Sequence, residues 1–445
     1  MQKRIFFLTA CFLLSVLFPC FQAAALYRPA FEIQSSAAVL VNMDTDTIIY
    51  EKNPDKQQYP ASLTKIMTAI IALEEIEDLD TVITMPRYIY DELFLGGASN
   101  AGINAGEEIS IRDLLYALMV RSAGEAASAL ADYVGGGDIA TFVQMMNDKA
   151  KEIGAVNTHF TNAHGLHDPD QVTTAYDMYL ITKYALTVPY FQEIATAVSY
   201  DLRGQTIYHT CSLLQKSSQY YYPYAKGIKT GYTDEAGRNL VSMATKDGYN
   251  YLLITMGAPV YFPTGEMIQD NYSYTDAASL YDWAFSTFEF MQIADEGESV
   301  TEVPVTLSWD KDYTLLTPEK SISALLPNYV DRSAIQRELT VPESLEAPIE
   351  AGQVVGSMDL LVSGEVIGTV NLITEESIEQ SKLLYIGAQI QEVVRTWWFR
   401  LILGILIFLV LAYIALMILH NRRKKKRNRY RAKIMQMQYQ NRRRR

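Results

Sequence analysis

The chain has 445 residues, 49% of them apolar, and carries 51 acidic against 38 basic side chains for a formal charge of −13. That total hides a split: the last 25 residues hold 13 Lys/Arg and no acid, and Lys3 and Arg4 add two more, which leaves the segment between them near −28. So acidic a surface would repel phosphates, which excludes nucleic acid as the partner of the central segment.

In chain order, Met1-Gln2-Lys3-Arg4, an apolar run from Ile5 to about Pro19 and the small residues Ala23-Ala24-Ala25 have the layout of a secretory signal peptide over residues 1–25, with Leu26 as the mature start. A lipoprotein reading through Cys20 fits poorly, because Pro19 stands directly before the cysteine. Cleavage leaves Cys211 alone, so no internal disulfide can form. We read that cysteine as a small buried residue, and about 370 exported residues suffice for two ordinary cores.

Ala37 to Val41, a turn-rich Asn42 to Thr47 and Ile48-Ile49-Tyr50 read as strand, turn, strand. Helical periodicity runs from Leu63 to Leu73 and from Ile111 to Val120, with a glycine-rich link around Gly96, Gly97 and Gly102. A further helix follows Thr174 to Asp177, and strands return at Asn239 to Ala244 and Tyr249 to Met256. This order predicts an α+β domain over residues 26–290.

From 296 to 375 the pattern becomes short alternating runs separated by turn residues: Glu302 to Trp309, Asp312 to Leu316, Ser321 to Leu326, Ile335 to Val341, Ile349 to Val362 and Glu365 to Thr374. These predict a small all-β domain. Residues 376–396 are expected to form a helical stalk. Within 397–419, Leu401 to Leu419 is unbroken apolar sequence covering about 28 Å of bilayer core, long enough for one transmembrane helix. Trp397 and Trp398 precede it, and the basic cluster from Arg422 to Arg427 opens a tail over 420–445. That asymmetry puts the tail in the cytoplasm and everything between Leu26 and the tryptophans outside the membrane. We read the tail as a stop-transfer anchor rather than as a contact for RNA or anionic lipid.

One motif bears chemistry by itself. In Pro60-Ala61-Ser62-Leu63-Thr64-Lys65, an offset of one helical turn puts the Ser62 hydroxyl beside the Lys65 amine, the arrangement of a nucleophile and its base. The alternative is a helix-capping serine with a solvated lysine. Spacing alone decides nothing, since Ser308-Trp309-Asp310-Lys311 repeats it in a strand-to-turn context where the two residues share no face. Lys229-Thr230-Gly231 is less easily produced by chance. It is read as an edge strand whose lysine and threonine share an anion-holding face, with the glycine admitting a substrate backbone; the alternative is a surface strand with a solvated lysine. Ser122-Ala123-Gly124-Glu125 signals only a turn between helices. His164, His167 and Asp168 lack the spacing of a zinc motif, so we expect no metal and no cofactor, and a loop packed near the site.

Taken in order, Ser-x-x-Lys, a Ser-x-x element about 60 residues on and Lys-Thr-Gly beyond it resemble the serine D-alanyl-D-alanine carboxypeptidases, the low-molecular-mass penicillin-binding proteins of peptidase family S11. Ala163-His164-Gly165-Leu166 with Thr174 to Asp177, and Gly227 to Gly237, are similar to further family segments, and the likeness extends over about residues 27–395. It implies a β-lactamase/penicillin-binding-protein-like catalytic domain, an antiparallel sheet flanked by helices, followed by the all-β domain. It further implies Ser62 as acylated nucleophile, Lys65 as proton acceptor and Ser122 as relay to the leaving D-alanine. Lys229 and Thr230 would hold the terminal carboxylate at the Gly231 strand, and the backbone N–H groups of Ser62 and Tyr232 would form an oxyanion hole. The implied partners are the peptidoglycan pentapeptide stem ending in D-Ala-D-Ala and, as covalent inhibitors, β-lactams. The sequence departs from the family at one point: the middle motif is Ser-x-Asn, and position 124 is glycine, which can neither donate nor accept through a side chain. Glu125 or a water is left to supply an acceptor. Two readings follow, a carboxypeptidase of altered rate or preference and a catalytically impaired wall-binding or scaffolding protein. A β-lactamase is disfavoured, since no segment offers the glutamate base for fast deacylation.

Overall fold

The computed structural model describes residues 28–442 apart from 91, 92, 94 and 95. The expected signal peptide lies outside the described residues. The chain divides into two compact units, the first running to Ile293 and taking in Ser323–Gln336 and Leu361–Ile367, the second holding the rest.

The first unit is built on a five-stranded antiparallel sheet. Its strands are β1 (Ala37–Asn42), β2 (Thr47–Lys52), β7 (Ala225–Thr233), β8 (Gly237–Lys246) and β9 (Tyr249–Ala258), in the order β2-β1-β9-β8-β7. Two small hairpins lie outside it, β3 (Val82–Thr84) with β4 (Glu108–Ser110) and β5 (Ser199–Leu202) with β6 (Gln205–Tyr208). The seven helices described in this unit are α1 (Thr64–Glu75), α2 (Ile111–Tyr116), α3 (Gly124–Val134), α4 (Ile139–Ile153), α5 (Ala175–Ala185), α6 (Phe191–Ala195) and α7 (Tyr272–Thr287).

Strand β1 explains why its sequence is apolar without alternation. Ala37, Val39 and Val41 enter one core with α1 to α6, whereas Ala38 and Leu40 enter a second core with α7, so both faces are buried. Helix α1 runs through the first core, with Thr64 through Ala72 all buried, and each of its isoleucines contributes about 1.5–3 kcal/mol by leaving water. The outer helices are capped from their own sequence: the Asp138 side chain accepts from Ala140 N–H at 3.1 Å, and that of Thr174 accepts from Asp177 N–H at 3.0 Å. The helical run predicted to reach Val120 is α-helical only through Tyr116 and then widens into a π turn over Ala117–Arg121.

Strand β10 (Phe288–Ala294) pairs with β13 (Ile322–Pro327). The second unit carries a six-stranded sheet in the order β14-β16-β17-β12-β11-β15, formed by β11 (Thr301–Thr306), β12 (Tyr313–Pro318), β14 (Gln336–Thr340), β15 (Leu345–Glu346), β16 (Val354–Val362) and β17 (Glu365–Thr374). Ile349, expected to open a strand, instead makes an isolated bridge to Ile378. Lys311, the lysine of the second Ser-x-x-Lys, pairs with Glu376, while Ser308 accepts from the Asp310 N–H at 3.2 Å. Helix α8 (Lys382–Arg395) is capped by Ser381. Helix α9 (Trp397–Arg442) runs for 46 residues, and its apolar part is long enough to cross a membrane. At 1.5 Å per residue it is about 69 Å long, so the helix continues beyond the apolar stretch through the basic residues.

Candidate active site

The site is assembled where α1 begins, beside the edge strand β7. Ser62 sits in a short 3-10 turn, Ala61–Leu63, that feeds directly into α1. Its side chain caps nothing; the Oγ accepts from Lys65 Nζ at 3.0 Å. Lys65 is 2% exposed, and it also donates to the carbonyl of His164. The capping-serine, solvated-lysine alternative therefore does not describe this pair. Burial pushes the Lys65 amine down to about 7, an effect that the Glu125 carboxylate partly opposes. A lysine held there is neutral in part at neutral pH and can take a proton from a hydroxyl it touches.

Three elements grip the backbone around Ser62. Gly165, at φ +82°, leaves no room for a side chain: a Cβ there would stand 2.2 Å from Ala61 O and 3.0 Å from Ser62 N. A Cβ at Gly231 would meet Pro60 O at 3.0 Å and Ser62 N at 3.3 Å. The absent side chain at Gly231 thus also makes room for the Ser62 turn itself. Asn239 of β8 donates to the carbonyls of Tyr59 at 2.9 Å and Pro60 at 3.2 Å, and its own oxygen accepts from Gly257 N–H at 2.8 Å. Thr68, one turn beyond Lys65, donates to Ala163 O at 2.6 Å and fixes the segment that carries His164 and Gly165.

Ser122 closes the other side. It ends the π turn in the left-handed region at φ +63°, is 4% exposed, and shares a cavity of about 450 Å³ with Ser62, Thr230, Gly231 and Tyr232. Ala61, at φ +48°, is a second non-glycine residue in that region, and such backbone costs on the order of 1 kcal/mol each.

Lys229 and Thr230 do not share a face. Consecutive residues on a strand point to opposite sides. Thr230 therefore turns to the cavity, where its hydroxyl pairs with that of Thr210 at 2.7 Å, while Lys229 is fully buried and donates to Thr230 O at 3.1 Å. Burial and the nearby Lys65 hold the Lys229 ammonium well below its ordinary range, so this is not the solvated surface lysine of the alternative reading. Tyr232 is half-exposed and its hydroxyl pairs with Asp234.

Sequence reasoning missed Thr210, Arg238, Asn239 and Ser99, all of which line the same cavity. Arg238 also donates to Asp270 O at 2.6 Å. Thr210 is delivered by the β5–β6 hairpin, and only the pairing of distant segments reveals it. Arg238 and Asn239 could have been found, since they face Tyr232 and Gly231 across an antiparallel register that a short Thr233–Gly237 connection fixes. Gly124 is packed shut: its N–H donates to Ser99 O at 2.7 Å, and a Cβ would meet Ala98 Cβ at 3.0 Å and Leu93 Cδ2 at 3.2 Å. His164 is buried, its Nδ1 accepts from Leu166 N–H at 3.2 Å, and burial beside Lys65 pushes its imidazole down to about 3. His167 packs edge-on against Tyr59. Among the described residues no group of three His, Cys, Asp or Glu is placed to hold a metal ion.

This fold, with a helix-borne Ser-Lys pair facing an edge strand, defines a serine hydrolase of the penicillin-binding class. Residues 22–260 match the family described as D-alanyl-D-alanine carboxypeptidase, peptidase S11, and residues 288–380 match the C-terminal domain of penicillin-binding protein 5. The chain is 28% identical to the D-alanyl-D-alanine carboxypeptidase DacF of Bacillus subtilis, over 78% of this chain and 87% of that one. It is 30% identical to DacD of Salmonella typhimurium, with the same coverage of each. The solved penicillin-binding protein 5 of Haemophilus influenzae superposes with a TM-score of 0.61 at 25% identity, covering 80% of this chain and all of that one. The chain belongs to the S11 family of low-molecular-mass penicillin-binding proteins and is a serine-type D-Ala-D-Ala carboxypeptidase.

Proposed function

We propose that the protein removes the terminal D-alanine from peptidoglycan pentapeptides through an acyl-enzyme on Ser62. Lys65 takes the Ser62 proton as Oγ bonds to the penultimate D-alanine carbonyl. Ser122 passes a proton to the departing D-alanine, and water then releases the shortened peptide. Thr230 and Lys229 hold the terminal carboxylate on the Gly231 strand, Thr230 by direct contact and Lys229 from beneath. The N–H groups of Ser62 and Tyr232 take the oxyanion. β-Lactams acylate the same serine.

The observation that carries this reading is the 3.0 Å contact between a buried Lys65 poised near neutrality and the Ser62 hydroxyl. We further propose the division inferred from sequence: a cleaved leader over 1–25, a catalytic domain over 26–290, an all-β domain over 296–375, a stalk over 376–396, a single span over 397–419 and a cytoplasmic basic tail over 420–445. The apolar stretch of α9 and the 13 basic residues that follow that stretch support the anchor and its orientation.

The closed packing at Gly124 favours a second reading, a wall-binding protein impaired in turnover. D-alanine release from a synthetic pentapeptide separates the two. Release by the native chain and none by Ser62→Ala is expected; equal release from both overturns the acyl-enzyme, and none from either favours the second reading.

A further inference from the structure

Glu125 stands in the first turn of α3, 3% exposed, directly after the glycine over which residues 98–99 close. One carboxylate oxygen accepts from Ala101 N–H at 2.7 Å, so the segment that seals Gly124 also fixes Glu125. The other, Oε2, is buried without a hydrogen bond of good geometry, although the N–H groups of Ile103 and of Glu125 itself also favour the carboxylate. Leaving a carboxylate oxygen unpaired in the interior is costly unless a compensating charge lies near. The helices α1 and α3 pack against each other, and Gly97, Ala98 and Ser99 wall both the cavity of Glu125 and that of Ser62 and Lys65.

We infer that Glu125 is a positioning residue for the reaction: a buried counter-charge that favours the ammonium Lys65 becomes when it takes the Ser62 proton. This rests on the Ser62–Lys65 reading above and deepens it. In the acylation step the Ser62 O–H bond breaks, the proton and its charge pass to Lys65 Nζ, and the Oγ electron pair forms the bond to the carbonyl carbon. Three ionisable groups from other elements face Lys65: Glu125 on α3, Lys229 on β7 and His164 in the 163–166 segment. Lys65 works against a charge on Lys229 and on His164, so neither supplies a counter-charge. Among the described residues, Glu125 is the group that favours a positive charge on Lys65; burial opposes the Glu125 carboxylate, while the N–H groups of Ala101, Glu125 and Ile103 and, after them, Lys65 favour it. Glu125 shares its cavity with Tyr90, whose hydroxyl donates to Ile103 O at 2.8 Å and which Glu107 and Arg203 also influence. With a glycine at 124, the polar group of this segment enters one residue later and from within the core.

The test is the pH dependence of acylation by a fluorescent penicillin on the full chain in detergent, for the native protein, Glu125→Gln, Glu125→Asp and Ser62→Ala. Loss of the counter-charge makes Lys65 easier to deprotonate, so the acidic limb of the Glu125→Gln profile is expected about one pH unit lower, with a plateau about tenfold slower. Glu125→Asp keeps the charge but withdraws it, and shifts the limb less in the same direction. A merely structural role would lower amplitudes and leave the limb in place, so a limb superimposed on the native one overturns the proposal. If Glu125→Gln does not fold, as circular dichroism would reveal, an unmoved limb in Glu125→Asp overturns it equally. Labelling of Ser62→Ala at the native rate would instead remove the nucleophile on which the proposal rests.

Discussion

Replacing Lys65 by methionine should abolish acylation and at the same time stabilise the catalytic unit. In the native state Lys65 sits at about 7 instead of its ordinary 10.5, and at 1.36 kcal/mol per unit this burial costs roughly 5 kcal/mol at or below neutral pH. Methionine fills similar volume without that cost but forfeits the bonds to Ser62 Oγ and His164 O, leaving the carbonyl unpaired at about 1–3 kcal/mol. The balance is a gain of about 2 kcal/mol, or about 4–8 °C in the midpoint of this unit. The sign is fixed by proton counting. Between pH 7 and 10.5 the unfolded lysine holds a proton that the folded one lacks, so native stability rises with pH through that window. The variant's advantage should therefore be largest at or below pH 7, gone by about pH 8.5 and reversed by about pH 10. Thermal unfolding of the full chain across this range, alongside penicillin labelling, measures both. A variant that melts below the native protein at pH 7, or an advantage that does not change with pH, would refute the reasoning.

Gly165→Ala should be far more damaging than its one methyl suggests, because the Cβ would lie 2.2 Å from Ala61 O in a left-handed backbone. We expect a loss of more than about 2 kcal/mol and of penicillin labelling together, read by thermal unfolding and gel fluorescence. Asn239→Ala removes three bonds that tie β8 and Gly257 to the residues before Ser62. A destabilisation of about 2–3 kcal/mol is expected, with D-alanine release falling more steeply than the folded fraction, because the Ser62 turn loses its anchor.

Much of the fold was legible because local rules sufficed. The apolar run of β1, the turn before β2, the unbroken apolar centre of β9 and the helical periodicity of α1 each state their burial in the sequence itself. Ser62 and Lys65 were legible for the same reason, one helical turn apart. What failed depended on register or on tertiary contact. Lys229 and Thr230 were assigned one face although adjacent residues on a strand cannot share it. That Gly231 also packs against Pro60 and Ser62 depends on a tertiary contact that the sequence does not announce. The π turn that sets Ser122 left-handed has no periodicity to announce it, and Thr210 enters the site through a hairpin whose sequence signals only a surface excursion.

The segments that immobilise the Ser62 turn stand at 165, 231 and 239, and β1 finds its inner neighbour only in Tyr249–Ala258, more than 200 residues later. The N-terminal portion thus holds the reactive pair but none of the parts that shape it. A nascent chain would remain chemically silent until its last sheet strand emerged, because long-range strand pairing comes late. Premature truncation anywhere before β9 would yield an inert product rather than a weakened one. The topology therefore ties the onset of activity to completion of the five-stranded sheet rather than to synthesis of the reactive pair.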